Sequence, residues 1–390
     1  LMILVSCRQD VNRLSLAGEW NFALDPQDVG LQEKWQEKIL DETVQLPGSL
    51  QEQGKGEDVS VTTQWTGQIV DSAWYYAPEY EPYRQDGQVK VPFWLTPDKH
   101  YVGAAWYQKE VNIPADWKGE RILLFLERPH IETTVWVNGQ KTGMQNSLCV
   151  PHQYDITRYV RPGKCTITIR VDNRTKEINV GPDSHSITDQ TQGNWNGIVG
   201  RICLQTTPKT YFDDIQIYPE PEQKLARVKV VIKGTGTAKV KLSAESFNTD
   251  KKHIVPAIQQ EIKLNKGVTE TEMVLPMGND MLLWDEFHPA LYKLKAEVTN
   301  GKKTEIKEIQ FGMRRFEIKG KWFYVNGRKT QLRGTVENCD FPLTGYAPMD
   351  VESWERVFRI CRNYGLNHMR FHSFCPPEAA FIAADRGGFY

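Results

Sequence analysis

The sequence lacks a charge of either sign to lean on: Lys and Arg number 48 against 49 Asp and Glu over 390 residues. No basic stripe of the kind that tracks phosphates is present, so a nucleic-acid partner has no electrostatic support. A neutral or weakly charged ligand fits better. Long apolar runs are missing as well. None reaches the roughly 20 residues that a membrane span needs, so the mature chain is expected to be soluble or tethered by lipid. Cysteine is sparse: 7 residues at irregular intervals give no CxxC pair and no metal-ligand spacing, which argues against a zinc site. At this length a single core is also excluded, and two to four domains are expected.

Aromatic residues are plentiful, with 12 Trp and 15 Tyr. Their flat apolar faces with polar edges can stack on sugar rings, but more often they fill β-sandwich cores. The first residues, Leu1-Met2-Ile3-Leu4-Val5-Ser6-Cys7, form an apolar run ending in a small residue and Cys, followed by Arg8-Gln9-Asp10. Residues 1–10 thus resemble the end of a bacterial lipoprotein signal, in which Cys7 is cleaved at and acylated. That resemblance implies a lipid anchor through Cys7 and a place in the bacterial periplasm or at the cell surface. A ragged start or an ordinary buried strand is the competing reading.

Residues 11–218 carry short alternating runs broken by Gly, Pro, Asn and Asp, the pattern of a β-sandwich. Tyr107 to Val111, Ile122 to Leu126, Thr133 to Val137 and Thr166 to Val171 are the clearest strands. Ile122 to Leu126 is continuously apolar, as for a strand covered on both faces, whereas Thr166 to Val171 alternates with period two and predicts one wet face. Val135-Trp136-Val137 runs into Asn138-Gly139, a hairpin signal because both central turn residues need positive φ. Residues 219–313 hold a second set of strand runs, from Ala226 to Ile232 through Glu308 to Gly312. Lysines alternating with β-branched residues protect one face there, and an immunoglobulin-like sandwich is expected.

Three ordered segments of the first part are Val135 to Gly139, Tyr154-Asp155-Ile156-Thr157, and Trp195-Asn196-Gly197-Ile198 through Arg201 and Leu204. Together they resemble the jelly-roll, galactose-binding-like sugar-binding domain of glycoside hydrolase family 2, the β-galactosidase, β-glucuronidase and β-mannosidase family. Leu16 to Phe22 looks like that domain's first strand. Leu283-Trp284-Asp285 and Pro289-Ala290-Leu291-Tyr292 resemble a family segment of the second sandwich, with Glu286 where Pro is common. Trp284 and Tyr292 are expected to plug the sandwich end.

The succession Phe311-Gly312-Met313-Arg314, Phe323 to Gly327 and Leu332-Arg333-Gly334 resembles the junction at which family chains enter their catalytic (β/α)8 TIM barrel. Beyond it, Asp350 precedes Val351, Trp354, Val357, Phe358 and Cys361 at helical spacing, with Gly365 as the stop. A strand over Leu366 to His372 follows, and then a helix opened by Pro376-Pro377-Glu378 and ended by Gly387-Gly388. Residues 314–390 therefore read as the first two βα units of a truncated, incomplete TIM barrel, which takes about 250 residues when whole.

The family resemblance implies a retaining exo-β-glycosidase that cleaves terminal β-linked sugars of an oligo- or polysaccharide without a cofactor. Such enzymes place two carboxyl groups about 5 to 5.5 Å apart. The family carries them after barrel strands four and seven, so no catalytic carboxylate is expected within these residues. What remains is substrate-binding. Arg370, in Asn367-x-Met369-Arg370, matches the arginine that hydrogen-bonds a catalytic carboxylate, a task suited to a planar fork of donors. His372 comes one residue earlier than the family's His, and Asn338 stands where a His commonly ends strand one. Glu337, Asn338 and Asp340 could accept from sugar hydroxyls, with ordinary strand-end polarity as the plain alternative. A carbohydrate-binding protein with a vestigial barrel stub is the second functional reading, and a purely structural adhesin a third. The sequence leaves oligomeric state open, a homo-oligomer included.

Overall fold

The computed structural model describes residues 12–66, 77–85, 89, 96–176, 187, 189 and 192–390. Cys7 and the rest of the lipoprotein-like start lie outside them. The described chain falls into two compact units, one of residues up to Thr206 with Glu337–Met349 and Phe371–Pro377, the other of Thr207–Val336, Asp350–Arg370 and Glu378–Tyr390.

The first unit contains eleven strands that build its two main sheets: β1 (Arg13–Ser15), β2 (Gly18–Asp25), β3 (Glu42–Leu46), β4 (Gly48–Ser49), β5 (Ala104–Ile113), β6 (Arg121–His130), β7 (Glu132–Val137), β8 (Gln140–Asn146), β9 (His152–Asp155), β10 (Gly163–Asp172) and β11 (Gly197–Thr207). One sheet has the order β1-β11-β6-β9 with β4 on β11, and the other β8-β7-β10-β5-β2-β3. Their facing sides share one core that includes Trp20, Tyr107, Leu124, Leu126, Val135 and Ile169. All four expected strands form. Asn138 and Gly139 take φ of 50° and 76° in the β7–β8 turn, as the hairpin geometry requires.

Strand β10 departs from its predicted wet face. Thr168 is 1% exposed and Arg170 3%, so the polar side of the alternation is as dry as the apolar side. The reason is pairing. Gln108 Nε2 donates to Thr168 Oγ1 at 3.2 Å, and the Arg170 guanidinium meets Asp28 at 2.5 Å, Asp172 at 3.0 Å and Glu132 at 3.6 Å. Arg174 and Lys176 reach Asp172 at 2.6 and 2.7 Å. Burial alone would raise the Asp172 pKa, but hydrogen bonds from Arg174 and Lys176 outweigh it and hold the carboxylate well below its usual range.

In the second unit β12 (Tyr211–Glu220), β13 (Leu225–Ser246), β14 (Ile254–Pro276), β15 (Leu291–Asn300) and β16 (Lys303–Gly312) form a five-stranded sheet, β12-β13-β15-β16 with β14 on β13. Strand β13 is 22 residues long. Its first half pairs with β12 and its second half with β15, while β14 follows it throughout. Register shifts near Gly236, at φ 84°, and near Ala244 bend this ribbon, which lets one strand serve two layers around a common core. Val228, Val230, Ile232, Leu294 and Val298 fill that core. The outward lysines pair across strands, Lys229 with Glu270 at 2.8 Å and Lys233 with Asp213 at 2.9 Å.

Tyr292 is fully buried in this core, and its hydroxyl accepts from the Leu282 N–H at 2.8 Å and bonds His253 Nδ1 at 2.6 Å. Trp284 does more than the plug expected of it: its Nε1 donates to the Asp385 carbonyl at 2.7 Å. Next come a small sheet of β17 (Phe316–Lys319), β18 (Trp322–Val325) and β19 (Arg328–Thr330), then β20 (Gly334–Glu337), α1 (Val351–Asn363), β21 (His368–Phe371) and α2 (Glu378–Gly387). Asp350 caps α1 by accepting from the Ser353 N–H at 2.8 Å. Strands β20 and β21 pair, with Arg333 O accepting from Asn367 N and Glu337 O from His372 N. The bonded residues advance together along both strands, which is the parallel sense. Tyr390 exchanges backbone bonds with β21, to Asn367 O and from Met369 N.

Candidate functional site

A half-open cavity of about 50 Å³ lies in the first unit, and Arg128, His130, Trp195, Cys339, Tyr346 and Phe374 are among the residues that line it. That volume takes a few waters and cannot enclose a sugar ring. It is a wall with a hollow in it.

Three rings make the wall. His130, at the end of β6, stacks on Trp195 with centroids 4.6 Å apart and planes at 22°. Tyr346 packs on Trp195 at 5.5 Å and donates its hydroxyl to Glu52 at 3.1 Å. Gly345 allows this approach: at φ 84°, its missing Cβ would sit 3.1 Å from Trp195 Cβ. Burial pulls the His130 pKa down to about 4 against the opposing bond to Asn194, so the imidazole is neutral at neutral pH. Its proton can be placed. Asn194 Nδ2 donates to Thr66 Oγ1 and Asn173 O, which leaves Asn194 Oδ1 to accept from His130 Nε2–H at 3.0 Å.

A lattice of buried amides holds this wall to the sandwich. Asn173 Nδ2 donates to Tyr101 O at 2.8 Å and to Trp195 O at 3.2 Å, and its Oδ1 accepts from Gly103 N. Asn196 Nδ2 donates to Gly103 O at 3.0 Å, and its Oδ1 accepts from the Tyr107 hydroxyl at 3.1 Å. Arg128 reaches the other side, donating to Cys375 O at 2.7 Å, Pro376 O at 3.1 Å and Cys149 O at 3.3 Å.

The carboxylates expected at the end of the first barrel strand belong to the same unit. Glu337 Oε1 accepts from the Cys339 N–H at 2.6 Å, in a turn where Cys339 takes φ of 64°. Burial raises the Glu337 pKa. Burial and then the charge of Glu337 push Asp340 up to about 6. Two crowded carboxyl groups offer paired acceptors to a hydroxyl-rich ligand, and in mild acid Asp340 can donate as well. Asn338 lies exposed between them. His372 joins through its backbone, its N–H donating to Glu337 O at 2.8 Å and its carbonyl accepting from Gln192 Nε2 at 2.9 Å. Arg370 belongs to the second unit, solvent-exposed on β21.

The second unit adds a buried acid that sequence reasoning noted only as a departure. Glu286 is 6% exposed and accepts from Asn367 Nδ2 at 2.5 Å, with Arg333 at 3.7 Å and Arg328 at 3.9 Å. Asn367 also accepts from the Arg333 N–H at 2.7 Å and donates to Gln331 O, so the acid fixes the residue at which β21 begins. Arg128, His130 and Tyr346 went unnoticed in the sequence, and Trp195 stood out only as part of a motif. No local pattern marks them, because they converge from segments far apart in the chain.

The glycosyl hydrolases family 2 sugar binding domain matches residues 14–208, and a second glycosyl hydrolases family 2 domain matches residues 210–314. The chain belongs to glycosyl hydrolases family 2. It is 22% identical over 393 residues to a β-glucuronidase of Paenibacillus borealis, covering 96% of this chain and 57% of that protein. It is 23% identical to the β-galactosidase large subunit of Latilactobacillus sakei, covering 96% and 58%. With human β-glucuronidase it shares 25% identity, covering 74% and 47%. Among solved structures, the fold matches a family 2 member from Bacteroides cellulosilyticus with a TM-score of 0.70 at 19% identity, covering 97% of this chain and 47% of that one. The Ruminococcus gnavus β-glucuronidase matches with a TM-score of 0.70 at 20% identity, covering 98% and 58%. The chain thus spans about half the length of the relatives it matches.

Proposed function

We propose that this chain supplies the two sandwiches and the first wall of the active site of a retaining exo-β-glycosidase acting on terminal β-linked sugars of an oligo- or polysaccharide. The observation that carries the reading is the pair of acids at the end of β20, Glu337 and Asp340, both raised by burial and Asp340 to about 6. Family membership and glycosidase relatives support it. In this proposal the acid and nucleophile belong to barrel strands that these residues do not include, and no cofactor takes part. Arg370 orients one of those carboxylates. Asn338 and His372 complete the polar rim.

The test is turnover of a panel of aryl β-glycosides by the full-length protein and by residues 1–390 alone. The full-length protein should hydrolyse at least one substrate and the shorter chain none above background; hydrolysis by the shorter chain would refute the division of labour. Asp340→Asn in the full-length protein should lower kcat/KM about tenfold to hundredfold, the range for losing one hydrogen bond to a charged group. A carbohydrate-binding protein is the second reading, favoured by the location of both acids and the aromatic wall in the first unit. Glycan binding without hydrolysis by the full-length protein would select it. We propose further that Cys7 is acylated and holds the protein at the bacterial surface or in the periplasm. Fatty-acid labelling lost in Cys7→Ala is the expected outcome.

A further inference from the structure

Three cysteines distant in sequence lie on or beside one cavity of the first unit. Cys149 and Cys339 both line the cavity, as does Phe374, the neighbour of Cys375. All three cysteines are free thiols; Cys375 is exposed and Cys149 half-buried. Arg128 gathers two of the backbones, since its terminal nitrogens donate to Cys375 O at 2.7 Å and to Cys149 O at 3.3 Å. A guanidinium is a rigid planar fork, so two carbonyls on it are held as neighbours. Cys339 lines the same cavity as Cys149 and Phe374, two residues beyond Glu337, whose carbonyl accepts from His372 N.

Of the three, Cys339 is the poorest reactant. Burial, then the charge of Glu337, pushes its thiol up to about 12, and the thiolate is the species that reacts. Cys149 and Cys375 share the Arg128 guanidinium, which places a fixed positive charge beside their backbones.

We propose that Cys149 and Cys375 are a redox pair that a small-molecule disulfide, such as oxidised glutathione, closes to an intramolecular disulfide. One thiolate attacks the small disulfide, forms a mixed disulfide and expels one small thiolate. The second thiolate attacks the protein sulfur of that mixed disulfide and expels the other. Two protein thiols are oxidised, one small disulfide is reduced to two thiols, and the two protons leave with them. A disulfide needs Cα atoms about 4.4 to 6.8 Å apart, and a shared clasp on both carbonyls is a tether suited to keeping them near that range. The bond would staple the segment around Cys149 to residues 371–377, which carry His372 and Phe374, and fix that side of the cavity.

The experiment uses the full-length protein, incubated with oxidised glutathione, alkylated, digested without reductant and mapped by mass spectrometry. The expected result is two fewer alkylatable thiols and a linked peptide pair containing Cys149 and Cys375 that disappears on adding dithiothreitol. Cys339→Ser should leave the linked pair intact. Cys149→Ser and Cys375→Ser should each abolish it, with circular dichroism confirming that both variants fold. Glutathione retained on Cys375 without a link, a link through Cys339, or no change in thiol count would each overturn the proposal.

Discussion

The two sandwiches solve the same problem in opposite ways. The second keeps strict alternation: Val228, Val230 and Ile232 are fully buried, and Lys229 and Lys233 on the opposite face pair with acids at the surface. The first hides its polar side as well, closing Arg170, Asp172, Asn173 and Asn196 inside hydrogen-bonded networks, each 3% exposed or less. Surface pairs contribute little and tolerate loss, whereas buried networks depend on every member. The sandwich built in the costlier way is the one that bears His130, Trp195 and the cavity. Its interior polarity fixes the geometry of a site, whereas the buried acid of the second sandwich, Glu286, fixes a backbone position through Asn367.

The contrast can be broken at Arg170. Replacing it with Met leaves Asp28, Asp172 and Glu132 short of a partner, and the first unit should lose about 3 to 5 kcal/mol, the cost of stripping one partner from a buried ion network. Hydrogen exchange in peptides from β10 measures this; protection equal to the unaltered protein would show that the cluster is dispensable. Acid should divide the sandwiches next. His130 has a folded pKa of about 4 against an unfolded value of about 6.5. The unfolded chain therefore binds the proton more readily, and the stability from keeping this ring neutral is complete above pH 6.5 and lost as pH falls toward 4. The loss reaches about 3 kcal/mol by linkage. The unaltered first unit should weaken over that window, and His130→Gln should flatten the slope in urea titrations read across pH.

In the second sandwich the effects should be smaller. Tyr292→Phe removes the acceptor of Leu282 N–H and the partner of His253, at about 1 kcal/mol in denaturant unfolding. Lys229→Ala, which breaks the exposed pair with Glu270, should leave the unfolding midpoint in denaturant unchanged. A loss at Lys229 as large as that at Arg170 would erase the distinction between the two sandwiches.

Much of this contrast was hidden in the sequence for a physical reason. Alternation in Thr166 to Val171 reports which side chains share a face, and it is silent on whether a polar face meets water or a partner. Two of the partners of Arg170, Asp28 and Glu132, lie far away in the chain. Features set by neighbouring residues were legible: the Asn138-Gly139 turn, the Asp350 cap, the dry run Ile122 to Leu126. The acids Glu337 and Asp340 were legible as a strand-end cluster, but their raised pKa values follow from burial, which no local pattern records. The ladder of His130, Trp195 and Tyr346 required the fold.

The 22-residue strand β13 also sets how the second sandwich can be cut. A strand confined to one layer can be trimmed while its neighbours stand, but β13 crosses from one layer to the other with β14 beside it. It acts as a strut common to both. A nick or circular permutation placed between residues 225 and 276 would remove support from both layers at once, so the second sandwich should be inherited whole or lost whole when the protein is divided for engineering.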